Sequence, residues 1–287
     1  MSILLKLAGL LPPRYVNLVS QARWQSPLLR STVQWYANRL HNRDATIQTG
    51  LGKGLRFNPG SANASYVLGT AEPIMQRCFT LLQSGMVVYD IGANVGFFTV
   101  LAARLVGPYG KVVAFEPVSA NTDLVRHNAQ LNGFRQVLVR NEALGGADCK
   151  ALFQISRYDT LGKLEGVGGD AFEKTGEIEV SLRRLDGLAH DGALPPPDLM
   201  KIDVEGAEAE LLDGASEVIA KSRPILLIEL HGTHQAVGER LRNFGYQSIM
   251  LDSAHLIAMS TARQDLVAKF AIPEGAIWKK VSKKVSP

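Results

Sequence analysis

The chain has 287 residues, 46% of them apolar, and a formal net charge of +4. That is enough to bury a sizeable core as one enlarged domain, or as one domain with an N-terminal cap. Cys78 and Cys149 match no metal or redox spacing, and the apolar stretch from Ile3 to Leu11, interrupted by Lys6 and stopped by Pro12 and Pro13, falls far short of the ~20 residues of a membrane span.

Charge is unevenly spread. Residues 1–60 carry eight Lys or Arg against Asp44, and residues 269–287 carry five against Glu274, so the two ends hold +7 and +4 and the middle −7. Three short helices are expected before about residue 42, followed by a small hairpin over 47–57 broken by Gly50, Gly52 and Gly54. Residues 1–60 thus read as a basic helical cap. Basic ends suit peripheral contact with an anionic membrane surface, although a solvated cap and a frayed tail is the plainer reading.

Strand and helix signals alternate from residue 71 onward. A helix over 71–82 leads into Val87-Val88-Tyr89-Asp90, which reads as a strand buried on both faces. Gly92, Ala93, Asn94 and Gly96 then turn the chain into a helix over 95–105. The glycines therefore lie where open α/β sheets bind ligands, at a strand end beside a helix N-terminus. The order Asp90-x-Gly92-x-Asn94-x-Gly96 is not the G-x-G-x-x-G of a dinucleotide site. Asp90 would meet a pyrophosphate as a like charge, whereas a ligand carrying an ammonium and a sulfonium would be attracted, which favours S-adenosylmethionine. The next strand, 111–116, ends in Glu116, about 20 residues beyond the turn, as expected for a carboxylate that takes a ribose diol. Pro117 stops it, and Ser119 or Asn121 can start a helix over 122–130.

A further strand is expected over 136–141. Residues 150–182 break the rhythm, with β-type pieces at 151–156 and 177–182 around Gly166-Val167-Gly168-Gly169, and predict an inserted hairpin. The run Leu199 to Ile202 is a strand that ends in Asp203 and Glu205. After it, a helix over 207–220 would bury Leu211, Leu212, Ala215, Val218 and Ile219 and leave Glu208 and Glu210 on its first-turn solvent face. In the strand over 224–231, alternation sets Glu229 and His231 on one side and Leu230 on the other. Parallel strands need crossover helices, so the whole pattern predicts an α/β fold with a doubly wound sheet.

Three segments, Asp90-Ile-Gly-Ala-Asn-Val-Gly-Phe-Phe-Thr99, Phe115-Glu-Pro117 with Asn121, and Lys201-Ile-Asp-Val-Glu-Gly-Ala-Glu208, resemble class I S-adenosylmethionine-dependent methyltransferases of the FkbM type. Tyr66, Gly69 and Glu72 resemble the residues that precede the first strand in that family, and the resemblance runs to about Met250. It implies a Rossmann-like, mostly parallel sheet of seven strands with an antiparallel edge and a methyltransferase domain over 61–268; it does not cover the first sixty residues or the basic tail over 269–287. It also implies that Asp90, Gly92, Ala93, Asn94 and Gly96 hold the methionine moiety, with Glu72 among the cofactor residues. Glu116, with Pro117 and Asn121, would take the ribose; Asn141, Glu142 and Ala143 would lie near the adenine; and Asp203 would line the methyl-transfer cleft. Members mostly methylate hydroxyl oxygens, so a cytoplasmic O-methyltransferase acting on a sugar, polyketide, lipid-linked glycan or other small natural product is implied. Asp203-Val204-Glu205-Gly206 departs from the Asn/Asp-Pro-Pro-aromatic pattern of base-methylating enzymes, so nucleic acid is not an expected partner.

The implied chemistry is an in-line displacement from sulfonium to oxygen. Alignment can supply about 7–11 kcal/mol, and a base that removes the acceptor's proton adds roughly 100- to 10,000-fold. His231 is the first candidate base, with Glu205 or Glu229 as orienting or alternative bases. Asp203, Glu205 and Glu229 are oxygen ligands suited to magnesium, but three acids at two strand mouths equally describe a polar cleft, and no metal is assigned. Two rivals are an NAD-dependent oxidoreductase, disfavoured by the glycine order, and a non-catalytic nucleoside-binding module docked through its basic ends, disfavoured by Asp90, Glu116 and Asp203 together.

Overall fold

A computed structural model describes residues 41–61, 64–156, 162–164, 174–190, 192 and 194–260. The helices expected before residue 42 and the basic tail lie outside these residues. The first described piece is a ribbon in which β1 (Ala45–Thr46) pairs antiparallel with β2 (Arg56–Phe57). The expected hairpin is present, but each strand is two residues long and the glycine-rich stretch between them is turn. Next, α1 (Ser65–Leu68) ends at Gly69 in the left-handed conformation, and α2 (Pro73–Phe79) begins after Glu72.

The alternation then unfolds as expected through β3 (Val87–Ile91), α3 (Phe97–Val106), β4 (Lys111–Phe115), α4 (Ser119–Leu131) and β5 (Val137–Arg140). The inserted hairpin is larger than its sequence suggested. β6 (Ala143–Leu144), β7 (Cys149–Ser156), β8 (Gly162–Leu164) and β9 (Lys174–Arg183) form a second sheet in the order β6-β9-β7-β8. The short β6 runs parallel to β9 and ties this sheet to the chain just after β5. Of the two cysteines, Cys78 is buried while Cys149, at the start of β7, is exposed.

The second half comprises α5 (Leu185–His190), β10 (Leu199–Ile202), α6 (Glu208–Gly214), α7 (Ser216–Ser222), β11 (Ile225–Glu229), α8 (His234–Asn243), β12 (Tyr246–Met250) and β13 (His255–Ser260). The helix expected over 207–220 is two helices, broken at Ala215. The bare Gly214 lets the Gly145 carbonyl approach so closely that a Cβ would meet it at 1.9 Å, and the buried Asp186 carboxylate accepts the Glu217 and Val218 amides, capping α7. The predicted apolar stripe of this pair is fully buried.

The main sheet has seven strands in the order β12-β13-β11-β10-β3-β4-β5. All pair in parallel except β13, which runs antiparallel to both β11 and β12. The antiparallel strand is therefore one position in from the edge, where the resemblance had implied the edge itself. Alternation assigns the two faces. Val88, Leu199, Ile225 and Leu227 join Phe79, Phe98 and Leu101 in one core, while Tyr89, Met200, Leu226 and Ile228 join Leu211, Leu212 and Val237 in the other. Both faces are covered, which explains the near-continuous apolar runs of these strands.

Candidate active site

Chain order reverses between β3 and β10, and open sheets bind ligands beside the carboxyl ends of such strands. A cleft of about 650 Å³, counting its open mouth, lies there. Gly92, Asn94, Glu116, Pro117, Asn121, Glu142, Ala143, Asp203 and Glu205 all line it, together with the apolar Ile91, Phe115, Leu144 and Phe153. The last of these comes from the inserted sheet.

One wall is made by the glycine turn. Gly92 has φ of 77°, and a Cβ there would lie 1.8 Å from the Asp203 carbonyl oxygen, so only glycine lets the ends of β3 and β10 come this close. Glu116, 5% exposed at the end of β4, is oriented by three donors: the Asn94 amide at 2.9 Å, the Val118 amide at 3.0 Å and the Asn121 side-chain amide at 3.4 Å. Burial nevertheless raises its carboxyl to about 7, outweighing those hydrogen bonds. Asn141 is not on the wall; its side-chain amide donates to the Glu116 and Pro117 carbonyls and fixes the loop that carries Glu116. Ala93 and Gly96 shape the turn from behind, where Gly96 packs on Val125.

The carboxylate expected as a negative lip is inside the fold. Asp90 is fully buried, accepts the Thr99 hydroxyl at 2.6 Å, and lies 3.8 Å from the Lys201 ammonium, its Cα partner on β10. Burial raises its pKa, against the pull of Lys201 and the Thr99 hydrogen bond. Lys201 also donates to Asp203 at 3.1 Å, and Asp203 and Asp90 hold it charged despite its burial. Of the acids that follow β3 and β10, those that line the cleft are Asp203 and Glu205.

The opposite wall continues away from the cleft as a row of acids and imidazoles. The Nε2 of His231 lies 3.4 Å from Glu205, 3.8 Å from Glu229 and 3.9 Å from Asp203. Its Nδ1 donates to Glu208 at 2.9 Å. Glu208 is not on a solvent face: it has no exposed surface and also accepts the Thr233 hydroxyl and the Gly206 amide. Those three donors hold its carboxyl below the ordinary value although burial opposes them. His231 is pushed the other way, to about 9, because the Glu208 hydrogen bond and the charges of Glu205 and Asp203 outweigh desolvation. An imidazole so held is a cation near neutral pH and already carries its proton. Glu205, in contrast, is raised to about 7 by burial and then by Asp203.

Beyond Glu229 stand Glu72 and His255. His255 is the Cα partner of Glu229 across β11 and β13, so the two side chains share a face. Glu72 therefore sits with this cluster and not on the cleft wall. Sequence reasoning gave no role to His255, Lys201 or Glu208. The signal that could have found Lys201 was its charge in an otherwise apolar β10; His255 becomes a neighbour of Glu229 only through the antiparallel return of β13. Among the described residues, five non-glycine positions have positive φ, and Glu72 (38°), Asn94 (51°) and Glu205 (52°) all belong to this region, the clustering expected where a site fixes strained backbone.

The methyltransferase FkbM domain family matches residues 90–249. Over 229 residues the chain is 28% identical to the 31-O-demethyl-FK506 methyltransferase FkbM of Streptomyces tacrolimicus, covering 67% of this chain and 88% of that one. It is 27% identical over 164 residues to Methyltransferase 1 of Beauveria bassiana, covering 51% of this chain and 66% of the fungal protein, so it spans just under two thirds of that relative's length. A crystal structure of methyltransferase FkbM from Methylobacillus flagellatus KT aligns at 18% identity and a TM-score of 0.43, over 61% of this chain and 43% of that one. No helix among the described residues is long and apolar enough to cross a membrane. With its motifs on a seven-stranded sheet and the family's model spanning more than half its length, the chain belongs to the FkbM methyltransferase family.

Proposed function

We propose that this protein transfers a methyl group from S-adenosylmethionine to a hydroxyl oxygen of a small molecule or glycan. The observation that carries this is the two-walled cleft: a carboxylate at the end of β4 oriented by backbone amides, facing Asp203 and Glu205 across the β3 turn. The lining fits the cofactor's parts. Glu116 would accept the ribose hydroxyls, Phe115, Ala143 and Leu144 offer an apolar slot for a base, and Asn94 with the Gly92 turn would border the amino-acid end. When bound, the cofactor supplies an electrophilic methyl group on a sulfonium.

The chain's own residues have two tasks. Alignment is the larger, since holding reacting atoms close and in line can contribute about 7–11 kcal/mol. The second is proton removal, and here the base is Glu205, ahead of His231. Its carboxyl at about 7 suits proton acceptance at neutral pH, and it lines the cleft. His231, cationic between Glu205 and Glu208, positions Glu205. The Glu205 carboxylate would take the acceptor hydroxyl's proton as that oxygen accepts the methyl group the bound cofactor would supply, with S-adenosylhomocysteine as the other product.

Thermal denaturation with S-adenosylhomocysteine tests the cofactor half: saturation at 100 times Kd adds about 2.7 kcal/mol of stability, and an unmoved midpoint at millimolar ligand refutes it. Incubating acceptor panels with radiolabelled methyl donor, and reading the product by mass, tests oxygen as the site of transfer.

A further inference from the structure

We infer that Glu72, Glu229 and His255 form a binding site for one divalent first-row metal ion, Mn2+ or Zn2+ in preference to Mg2+. His255 Nε2 lies 3.6 Å from Glu229 Oε2 and 3.9 Å from Glu72 Oε2, and the three candidate ligand atoms fall within 4.8 Å of one another. These separations are too long for hydrogen bonds. Atoms that share an ion tetrahedrally at about 2.0–2.2 Å each lie about 3.3–3.6 Å apart, so the three ligands would draw in by a few tenths of an ångström or more around it.

Two facing atoms point to a missing partner. His255 is 9% exposed, and its buried Nε2 and the buried Glu72 Oε2 make no hydrogen bond, their neighbours being each other and, for Nε2, Glu229 Oε2 at the longer distances of ion pairs. Buried polar atoms are ordinarily satisfied, so two orphans facing each other across one gap ask for a group between them. The other side of the imidazole is already fixed, because Nδ1 lies 2.9 Å from both carboxylate oxygens of Asp252. A carboxylate that takes the remote ring nitrogen's proton and turns Nε2 toward the gap is the usual support of a metal-bound histidine. Lys201 does not fill the gap, since its hydrogen bonds go to Asp203 and the Gly92 carbonyl.

The donor set names the ion. One imidazole with two carboxylates suits Zn2+ or Mn2+, whereas Mg2+ prefers oxygen alone. Three protein ligands leave coordination positions for water or an oxygen of the acceptor. Asp203, Glu205 and His231 form a second group of similar spacing, its imidazole fixed at Nδ1 by Glu208 as His255 is by Asp252, but none of its atoms is among the buried ones without a hydrogen bond. Glu229 faces both groups, one oxygen toward each histidine, so an ion beside Glu72 sits next to the proposed methyl-transfer cleft.

The site is tested on the full chain, stripped with chelator and titrated with Mn2+ by electron paramagnetic resonance, with Zn2+ as competitor. One Mn2+ per chain, displaced by Zn2+, is expected. His255→Ala and Glu72→Gln should each weaken binding by more than 100-fold, and the milder Asp252→Asn by 10- to 100-fold, while His231→Ala leaves the stoichiometry at one. No Mn2+ or Zn2+ binding at millimolar concentration overturns the inference, as does binding that survives Glu72→Gln and His255→Ala but is lost in His231→Ala. Titrating the same preparations with S-adenosylhomocysteine separates this from the proposed function: loss of nucleoside binding with Mn2+ binding intact counts against the methyltransferase reading alone.

Discussion

The two halves of the sheet meet at Gly92 and Asp203, yet they treat charge in opposite ways. On the β3–β4–β5 side, Glu116 is enclosed by donors, so its carboxylate is set for a neutral, hydrogen-bonding ligand such as a sugar diol. On the β10–β11–β13 side, Asp203, Glu205, Glu229 and Glu72 crowd two imidazoles and the Lys201 ammonium, and buried oxygen and nitrogen atoms stay unpaired. A low-dielectric interior makes satisfied networks rigid and unsatisfied ones costly. Glu116 is oriented before ligand arrives, while the other half carries surplus negative charge that a proton or cation must balance.

Three substitutions probe that contrast, the largest effect coming where the halves touch. Gly92→Ala forces a methyl group onto the Asp203 carbonyl at positive φ and should cost more than about 4 kcal/mol, read as a drop in the urea midpoint; a loss under 1 kcal/mol would mean that the strands can separate. Glu205→Gln should lower kcat by roughly 100- to 10,000-fold with no change in S-adenosylhomocysteine affinity, and an unchanged kcat returns the base to His231. Glu208→Gln should cost about 1–3 kcal/mol, because buried donors lose a charged acceptor, and should also lower the His231 pKa, visible by proton NMR. If that pKa stays near 9, Glu205 and Asp203 alone hold the imidazolium.

Much of the first half was legible in the sequence because its determinants are local. A glycine turn and an acid at a strand end declare themselves within a few residues, and Gly92, Asn94 and Glu116 sit in the cleft as expected. The second half depends on pairings made over long distances. Glu208 sits in the first turn of α6, where the helical pattern alone suggested solvent, and only the fold of the segment through His231 and Thr233 buries it. Asp90 misled for a related reason: its place at the strand end was read correctly, but the Lys201 side chain that neutralises it comes from a strand more than a hundred residues on. The helix break at Ala215 likewise arises from Gly145 and Asp186, outside the segment that breaks.

The last of the expected effects tests the Glu116 half. Burial raises Glu116 from 4.5 to about 7, so the folded chain holds that proton more tightly than the unfolded one. Its contribution to stability is complete below pH 4.5 and is lost as pH rises through 7. Ribose binding runs in the opposite sense, because two hydroxyl donors call for the ionised carboxylate. The affinity for S-adenosylhomocysteine should therefore rise with pH up to about 7, by at most tenfold per unit, and level off above it. Glu116→Gln should flatten that profile and weaken binding by roughly 10- to 100-fold, the cost of about 1.5–3 kcal/mol for a hydrogen bond to a charged group. Calorimetric titration across this range separates the outcomes. A wild-type affinity that is flat through pH 7 would mean that the ribose is held elsewhere, and the pre-organised half would lose the feature that sets it apart from its neighbour.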